Sequence, residues 1–193
     1  SLYGIRDDGV EVANANLIRR QTVLSGTVSG RPVRSFQGYA PLPRMTTANM
    51  PVRGWYINLL QPPNDGAIGE RIVTEAQVVN RVLVAASIIP TADACQSDGR
   101  GYINALDAFT GTSLNAGSFF DLDGDGDFGD EVLTSGDVKL PIGSVDLGVG
   151  MPTLPNLLRG LAVAGGSSGG SGSVQTRDVR SSGRVSWREV VLE

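Results

Sequence analysis

Runs of β-branched and aromatic residues, cut at short intervals by Gly, Pro, Asn and Asp, set the hydrophobic pattern of the chain. Three runs are clear: Gly54-Trp55-Tyr56-Ile57-Asn58-Leu59-Leu60, the stretch from Glu70 to Val79, and Arg81 to Ile89. Asn80-Arg81 joins the last two at hairpin distance. No stretch sustains a 3.6-residue apolar period with caps over three turns. Leu154 to Val163 comes nearest, and Pro155 and Gly160 weaken it. The pattern predicts an all-β chain. Its longest nearly apolar run, Val82 to Ile89 with only Ser87 polar, is too short to span a bilayer.

A coarse repeat refines this expectation. Leu2 to Gly9 and Gly101 to Gly111 both read as an aromatic-led strand running into an Asp-containing turn closed by Gly. Trp55 to Leu59 repeats the strand part alone. Tyr3, Tyr56 and Tyr102 then fall at intervals of roughly 50 residues, about one four-stranded propeller blade each. The alternative is three unrelated Tyr-bearing strands in a sandwich. At that period the chain holds too few blades for a closed ring, so the expectation is a partial β-propeller, its C-terminal blades. Residues 1–164 would form the blades. Residues 165–173, Gly-Gly-Ser-Ser-Gly-Gly-Ser-Gly-Ser, form a loop or linker, and 174–193 supply closing strands, with a plain alternating strand from Gly183 to Val191.

Composition mostly excludes. With 26 Gly and 10 Pro, frequent tight turns are expected. There is no His, which removes Ser-His-Asp and Cys-His catalysis and His-based zinc sites. One cysteine, Cys95, permits neither an internal disulfide nor a cysteine metal cluster. The net charge of −4 argues against nucleic-acid binding, which rests on clustered positive charge. Lys139 is the sole lysine among 16 basic residues, a genome bias more than a mechanism. No signal peptide is visible, and the opening Ser1-Leu2-Tyr3-Gly4 reads as a fragment or mature product.

One segment carries chemistry. In Asp121-Leu122-Asp123-Gly124-Asp125-Gly126-Asp127-Phe128-Gly129-Asp130-Glu131, six of the chain's 20 acidic residues fall together. Carboxylates at 121, 123 and 125, then Gly126 for a sharp turn, match the first half of an EF-hand-type calcium loop. Ca²⁺ takes six to eight hard oxygen ligands, and spacing by two aims several carboxylates inward from one looped backbone. Without a cation, carboxylates about 5 Å apart repel by nearly 1 kcal/mol per pair even in water. Asp121, Asp123 and Asp125 are the expected ligands, with Asp127 adding its carbonyl or carboxylate. The second half departs from the pattern: Gly129 stands where a water can serve, and Val132 where a bidentate Glu is usual. Asp130 or Glu131 would supply that ligand on a differently running backbone. Mg²⁺ fits less well, because it demands octahedral geometry and holds its water.

Other matches are read blandly. Gly165-Gly166-Ser167-Ser168-Gly169 fits the hydrolase pattern G-x-S-x-G, but in a Gly/Ser stretch of a chain without His it is accidental. Asp7 with Asp8, or Glu70 with Glu75, offer carboxylate pairs for glycoside hydrolysis, yet nothing fixes their separation. Cys95 reads as a small buried residue or a loop thiol, and Trp55 and Trp187 as packing residues rather than a sugar platform.

An ordered set of pieces nevertheless resembles a known family. Gly54 to Leu59 leads to Gly69-Glu70-Arg71-Ile72-Val73-Thr74, then Ile89-Pro90, Cys95, Gly101-Tyr102 to Asp107, Thr110-Gly111, and finally Gly183 to Glu189. This order is similar to the C-terminal β-propeller of the type IV pilus tip-associated adhesin and biogenesis proteins, the PilC/PilY family. The resemblance implies a modified, quinoprotein-like propeller exported to the cell surface, at the pilus tip or outer membrane. It implies a non-enzymatic role in pilus biogenesis, adhesion and twitching motility, with an EF-hand-like calcium loop that Asp121 to Asp127 resembles. Its partners would be pilin subunits or minor pilins, and a host or abiotic surface contacted through an N-terminal region not contained here. No nucleic acid and no transmembrane segment is expected. The rival is a quinoprotein-type dehydrogenase, because Tyr102-x-x-x-Leu106-Asp107-x-x-Thr110-Gly111 looks like the blade turn of those propellers. A dockerin-like calcium module is a second rival, though it needs two such loops on helices.

Overall fold

A computed structural model describes residues 1–7, 9–43, 52–91 and 99–178. Asp8, Cys95, Trp187 and the expected strand from Gly183 to Val191 lie outside them. In chain order the strands are β1 (Leu2–Ile5), β2 (Leu17–Arg20), β3 (Thr22–Val28), β4 (Arg31–Phe36) and β5 (Gly54–Ile57). There follow β6 (Gln77–Val79), β7 (Val82–Pro90), β8 (Gly99–Asp107), β9 (Phe120–Asp121) and β10 (Val132–Ser135). The last are β11 (Val138–Pro141), β12 (Ser144–Val145), β13 (Asn156–Leu158), β14 (Leu161–Gly165) and β15 (Ser171–Thr176). Among the described residues the one helical element is a 3-10 turn at Asn14–Asn16. No helix there is long and apolar enough to cross a membrane.

The centre is the antiparallel hairpin of β7 and β8, paired from Val82↔Asp107 to Pro90↔Gly99. Both strands are buried on both faces, which is why residues 82–89 read as an unbroken apolar run rather than an alternating one. The two-residue period sorts their side chains into two cores. Val82, Val84, Ala86, Ile103 and Ala105 face Phe119, Phe120, Ala162, Ala164 and Val174, the layer built by the sheet β13-β14-β15-β9. Leu83, Ala85 and Leu106 face Phe36, Trp55, Ile57 and Leu59. Trp55 and Ile57 come from the three-stranded sheet β1-β5-β2. The six-stranded sheet β3-β4-β12-β8-β7-β6 is thus sandwiched, with β10 and β11 as a separate hairpin.

Several sequence expectations change here. The expected strand from Glu70 to Val79 shortens to β6, preceded by a single bridge, Arg71↔Ile88. Asn80, at φ +54°, makes the turn into β7 as the hairpin spacing predicts. Leu154 to Val163 is no helix: β13 and β14 form a hairpin that turns at Gly160, φ +70°. The Gly/Ser segment joins β14 to β15, which pair from Leu161↔Gln175 to Gly165↔Ser171. The Tyr repeat does not mark three equivalent units. Tyr3 and Tyr56 are direct partners in one sheet, their rings stacked at 6.0 Å, whereas Tyr102 lies in another. The chain is all-β, and among the described residues its sheets do not close into a ring.

Trp55 and the Asp107 turn are explained by packing. Trp55 is buried under Gly4 and Gly111, and its Nε1 donates to the Ala108 carbonyl at 3.0 Å. Asp107 Oδ1 accepts the N–H groups of Phe109 and Thr110 at 2.9 and 3.0 Å, and Arg81 pairs with Oδ2. The carboxylate that suggested a cofactor propeller is therefore occupied as a turn cap.

A buried ion pair fastens the long segment between β5 and β6. Arg34 and Glu70 side chains are 1% and 0% exposed and meet through two hydrogen bonds of 2.6 and 2.8 Å. The guanidinium lies 3.9 Å from the Tyr102 ring centroid and also donates to Asn104 Oδ1. Asn104 in turn accepts from Ser144 Oγ at 2.7 Å and donates to Ser87 Oγ at 2.9 Å. Glu70 is thus committed to Arg34, while Glu75 is exposed, so the two do not act as a catalytic carboxylate pair. Replacing a buried pair by apolar groups can be neutral, but removing one partner leaves a naked charge. Glu70→Ala should therefore lower the unfolding free energy by about 3–5 kcal/mol, read as a shifted urea midpoint. A loss below about 1 kcal/mol would show that the pair does not hold the segment.

Candidate functional site

The acidic loop runs from the end of β9 to the start of β10. Its entry is fixed by hydrophobic burial. Phe119 and Phe120 pack edge to face in the first core at 5.3 Å, and β9 pairs with β15 through Thr176↔Phe120 and Gln175↔Asp121. Asp121 follows directly and is only 2% exposed. A carboxylate at that depth needs donors, and it has them: Gly124 N–H at 2.6 Å to Oδ1 and Gly126 N–H at 3.0 Å to Oδ2. Both glycines adopt left-handed φ, +85° and +87°, which bends the backbone around the carboxylate.

Side chains then cap the loop at two-residue steps. Asp123 Oδ1 accepts from the Asp125 N–H at 3.2 Å, Asp125 Oδ1 from Asp127 N–H at 2.7 Å, and Asp127 Oδ1 from Gly129 N–H at 2.7 Å. At the exit, Glu131 is 4% exposed and reaches back across the loop. Its Oε1 accepts the N–H groups of Leu122 and Asp123. Glu131 thus stands one residue before the position where an EF-hand loop carries its Glu, because Val132 already belongs to β10.

Two carboxylate groupings result. Asp121, Asp123 and Glu131 can place one oxygen each within 4.8 Å of one another, and so can Asp123, Asp125 and Asp130. Asp127 joins neither, its carboxylate being turned to Gly129. A donor set made only of hard oxygens suits Ca²⁺, whose ligands stand about 2.3–2.6 Å away and hence about 3–5 Å from each other. The electrostatics agree with that chemistry. Burial raises the pKa of Glu131, and Asp123 and Asp130 add to the rise, against the pull of the Leu122 and Asp123 N–H groups. The Asp130 carboxyl is also raised, by partial desolvation first and then by Asp125, Asp127 and Asp123.

Two hollows flank the loop. One, of about 300 Å³, is lined by Asp121, Asp123, Arg31, Ser173 and Gln175 among others. The other, of about 560 Å³, is lined by Tyr39, Arg81, Asn115 and Arg177 among others, and Arg177 links it to Phe128 of the loop. Arg31 of β4, Gln175 of β15 and Arg177 just after it are distant from the loop in sequence, and no local motif marks them.

Fold and loop together define an all-β domain bearing an acidic, oxygen-only loop. No family model matches the chain. It is 30% identical, over 99% of its length, to a type IV pilus biogenesis factor PilY1 homolog of Xylella fastidiosa. Its fold matches the crystal structure of the Pseudomonas aeruginosa PilY1 C-terminal domain with a TM-score of 0.67 over 91% of the chain, at 18% identity. The chain is accordingly a relative of PilY1 proteins, and its fold matches part of their C-terminal domain, as the ordered pieces of the sequence imply. It spans 15% of the length of the curated relative and 37% of the solved chain.

The raised carboxyls give a pH signature. A carboxyl whose folded pKa exceeds its unfolded value stabilises the fold while protonated, and that contribution disappears as pH rises through the raised value. In EDTA, the stability owed to protonated Glu131 should therefore be lost as pH rises above the ordinary glutamate range and through its raised value. Glu131→Gln, neutral throughout, should flatten this part of the profile in urea unfolding series. An unchanged profile in the variant would contradict the assigned environment.

Proposed function

We propose that the chain is a calcium-binding, non-enzymatic part of a type IV pilus tip protein that supports pilus biogenesis, twitching motility and surface adhesion. The support is the likeness to PilY1 proteins together with the convergence of Asp121, Asp123 and Glu131 on one small volume. In this reading the chain forms C-terminal blades of an exported propeller, works at the cell surface, and meets pilin subunits or minor pilins there. Asp121, Asp123 and Glu131 hold the ion from the inside, Asp125 and Asp130 from the solvent side, and the Asp127 carbonyl remains a further donor. The bound ion supplies positive charge that offsets the mutual repulsion of these carboxylates. Everything else is done by the chain: β9 and β15 fix the first ligand, and β10 fixes the last.

An ion that binds only the folded state stabilises it by RT ln(1 + [Ca²⁺]/Kd), about 2.7 kcal/mol at one hundred times Kd. Calorimetric titration of the chain with CaCl₂ should show saturable binding, with MgCl₂ much weaker. Asp123→Ala combined with Asp125→Ala should abolish it. Calcium binding that survives both changes would reject this ligand set. The same pair of changes in the full-length protein should reduce surface piliation or twitching, and normal levels of both would separate the ion from the pilus role.

A further inference from the structure

Residues 114–116 line the 560 Å³ cleft, and Ser118, two residues on, bonds to Phe128 of the acidic loop. Leu114, Asn115, Ala116 and Arg177 line the cleft together with Tyr39 and Arg81. Arg177 follows β15, and its N–H donates to the Phe119 carbonyl at 2.8 Å. Its guanidinium reaches back to the wall: Nη2 donates to the Ala116 carbonyl at 2.8 Å and Nε to the Ser118 carbonyl at 3.4 Å. The same guanidinium lies 4.7 Å from the centre of the Phe128 ring.

Phe128 belongs to the acidic loop. Its ring supports Arg177, and its carbonyl accepts the Ser118 N–H at 3.0 Å. Gly117 makes that second contact possible. Its φ is +101°, and a Cβ there would stand 2.9 Å from the Phe128 carbonyl oxygen. One residue of the loop is therefore tied to the cleft wall twice, through an aromatic face and through backbone. On either side of it in sequence stand Asp125 and Asp127, then Asp130 and Glu131, the groups whose charges a cation would draw together.

We propose that Phe128 and Arg177 transmit cation occupancy of the acidic loop to residues 114–118, so that the ion sets the shape of the neighbouring cleft. The inference rests on the cation reading of the loop given above. With the carboxylates repelling one another, the loop and hence the ring have more freedom, and Arg177 loses a fixed support. With them neutralised, the ring is fixed, the guanidinium stays over it, and the wall is held by the two guanidinium donors. The guanidinium–ring contact suits this role because it depends on the ring's position rather than on any hydrogen bond of the loop. Whatever occupies the cleft is then linked to the ion, and the linkage is reciprocal.

Amide hydrogen exchange on the chain, in EDTA and in millimolar CaCl₂, tests this with the metal alone. Calcium should slow exchange both in residues 121–131 and in residues 114–118. In Phe128→Ala, and independently in Arg177→Lys, the slowing within 121–131 should persist while that within 114–118 falls several-fold. Slowing confined to 121–131 in the native chain would overturn the coupling, as would slowing of 114–118 undiminished in both variants. If calcium slows neither segment in the native chain, the cation reading itself fails and the coupling with it.

Discussion

Everything in this molecule is arranged around the two-sided burial of the β7–β8 hairpin. Because its side chains alternate between two apolar environments, it needs a layer on each face, and the chain supplies them from its two ends. The first 60 residues supply Phe36, Trp55, Ile57 and Leu59, and the part of the chain after β8 supplies Phe119, Phe120, Ala162, Ala164 and Val174. The middle sheet also holds a polar exception. Arg34, Asn104, Ser87 and Ser144 share hydrogen bonds inside it, with Glu70 brought in from an irregular segment. Such a network costs desolvation and returns specificity of placement, since a one-residue slip of β8 would move Asn104 to the opposite face, away from Arg34.

The acidic loop inherits its order from that core. Asp121 is the next residue after two buried phenylalanines, so its depth follows from their packing and not from its own preference. Glu131 is the mirror case at the other end, where β10 begins and the chain leaves the loop. Between these two buried carboxylates the remaining acids are exposed and spaced by the pleat of successive side-chain-to-backbone turns. The result is a loop with a buried floor and an exposed rim. Charge collects on both, and the floor is where desolvation makes an unpaired carboxylate most costly.

Much of this was legible in the sequence, and the rest failed for definite reasons. The all-β class, the β6–β7 turn and the acidic loop are local signals, carried by residue type and spacing, and local signals survive folding. Glu131 was readable only as one of two substitutes for the absent Glu at Val132. That its side chain folds back onto the Leu122 and Asp123 N–H groups depends on where β10 starts, which is a tertiary outcome. Tyr3, Tyr56 and Tyr102 suggested a structural period, yet Tyr3 and Tyr56 pair with each other across one sheet. Similar strands look alike whether they repeat a unit or complete it. Glu70 looked like any surface acid, because its partner Arg34 stands in a strand outside its own local pattern. Arg177 was invisible for the same reason: its meaning lies in Phe128 and in carbonyls reached only through the β15–β9 pairing.

The loop's exit also extends the reach of whatever happens within it. Glu131 accepts from the loop's first residues through its side chain, while its carbonyl accepts the Ile142 N–H at 2.9 Å. Ile142 is buried in the first core, and β10 and β11 lie between these two points as a hairpin. Leu133 of that hairpin packs against the first core, and it stands so close to Gly26 of β3 that a Cβ there would be 3.0 Å from it. The hairpin is therefore clamped at its base by one residue that also closes the acidic loop. A change in the charge state of Glu131 acts on two elements at once, and neither can relax without the other.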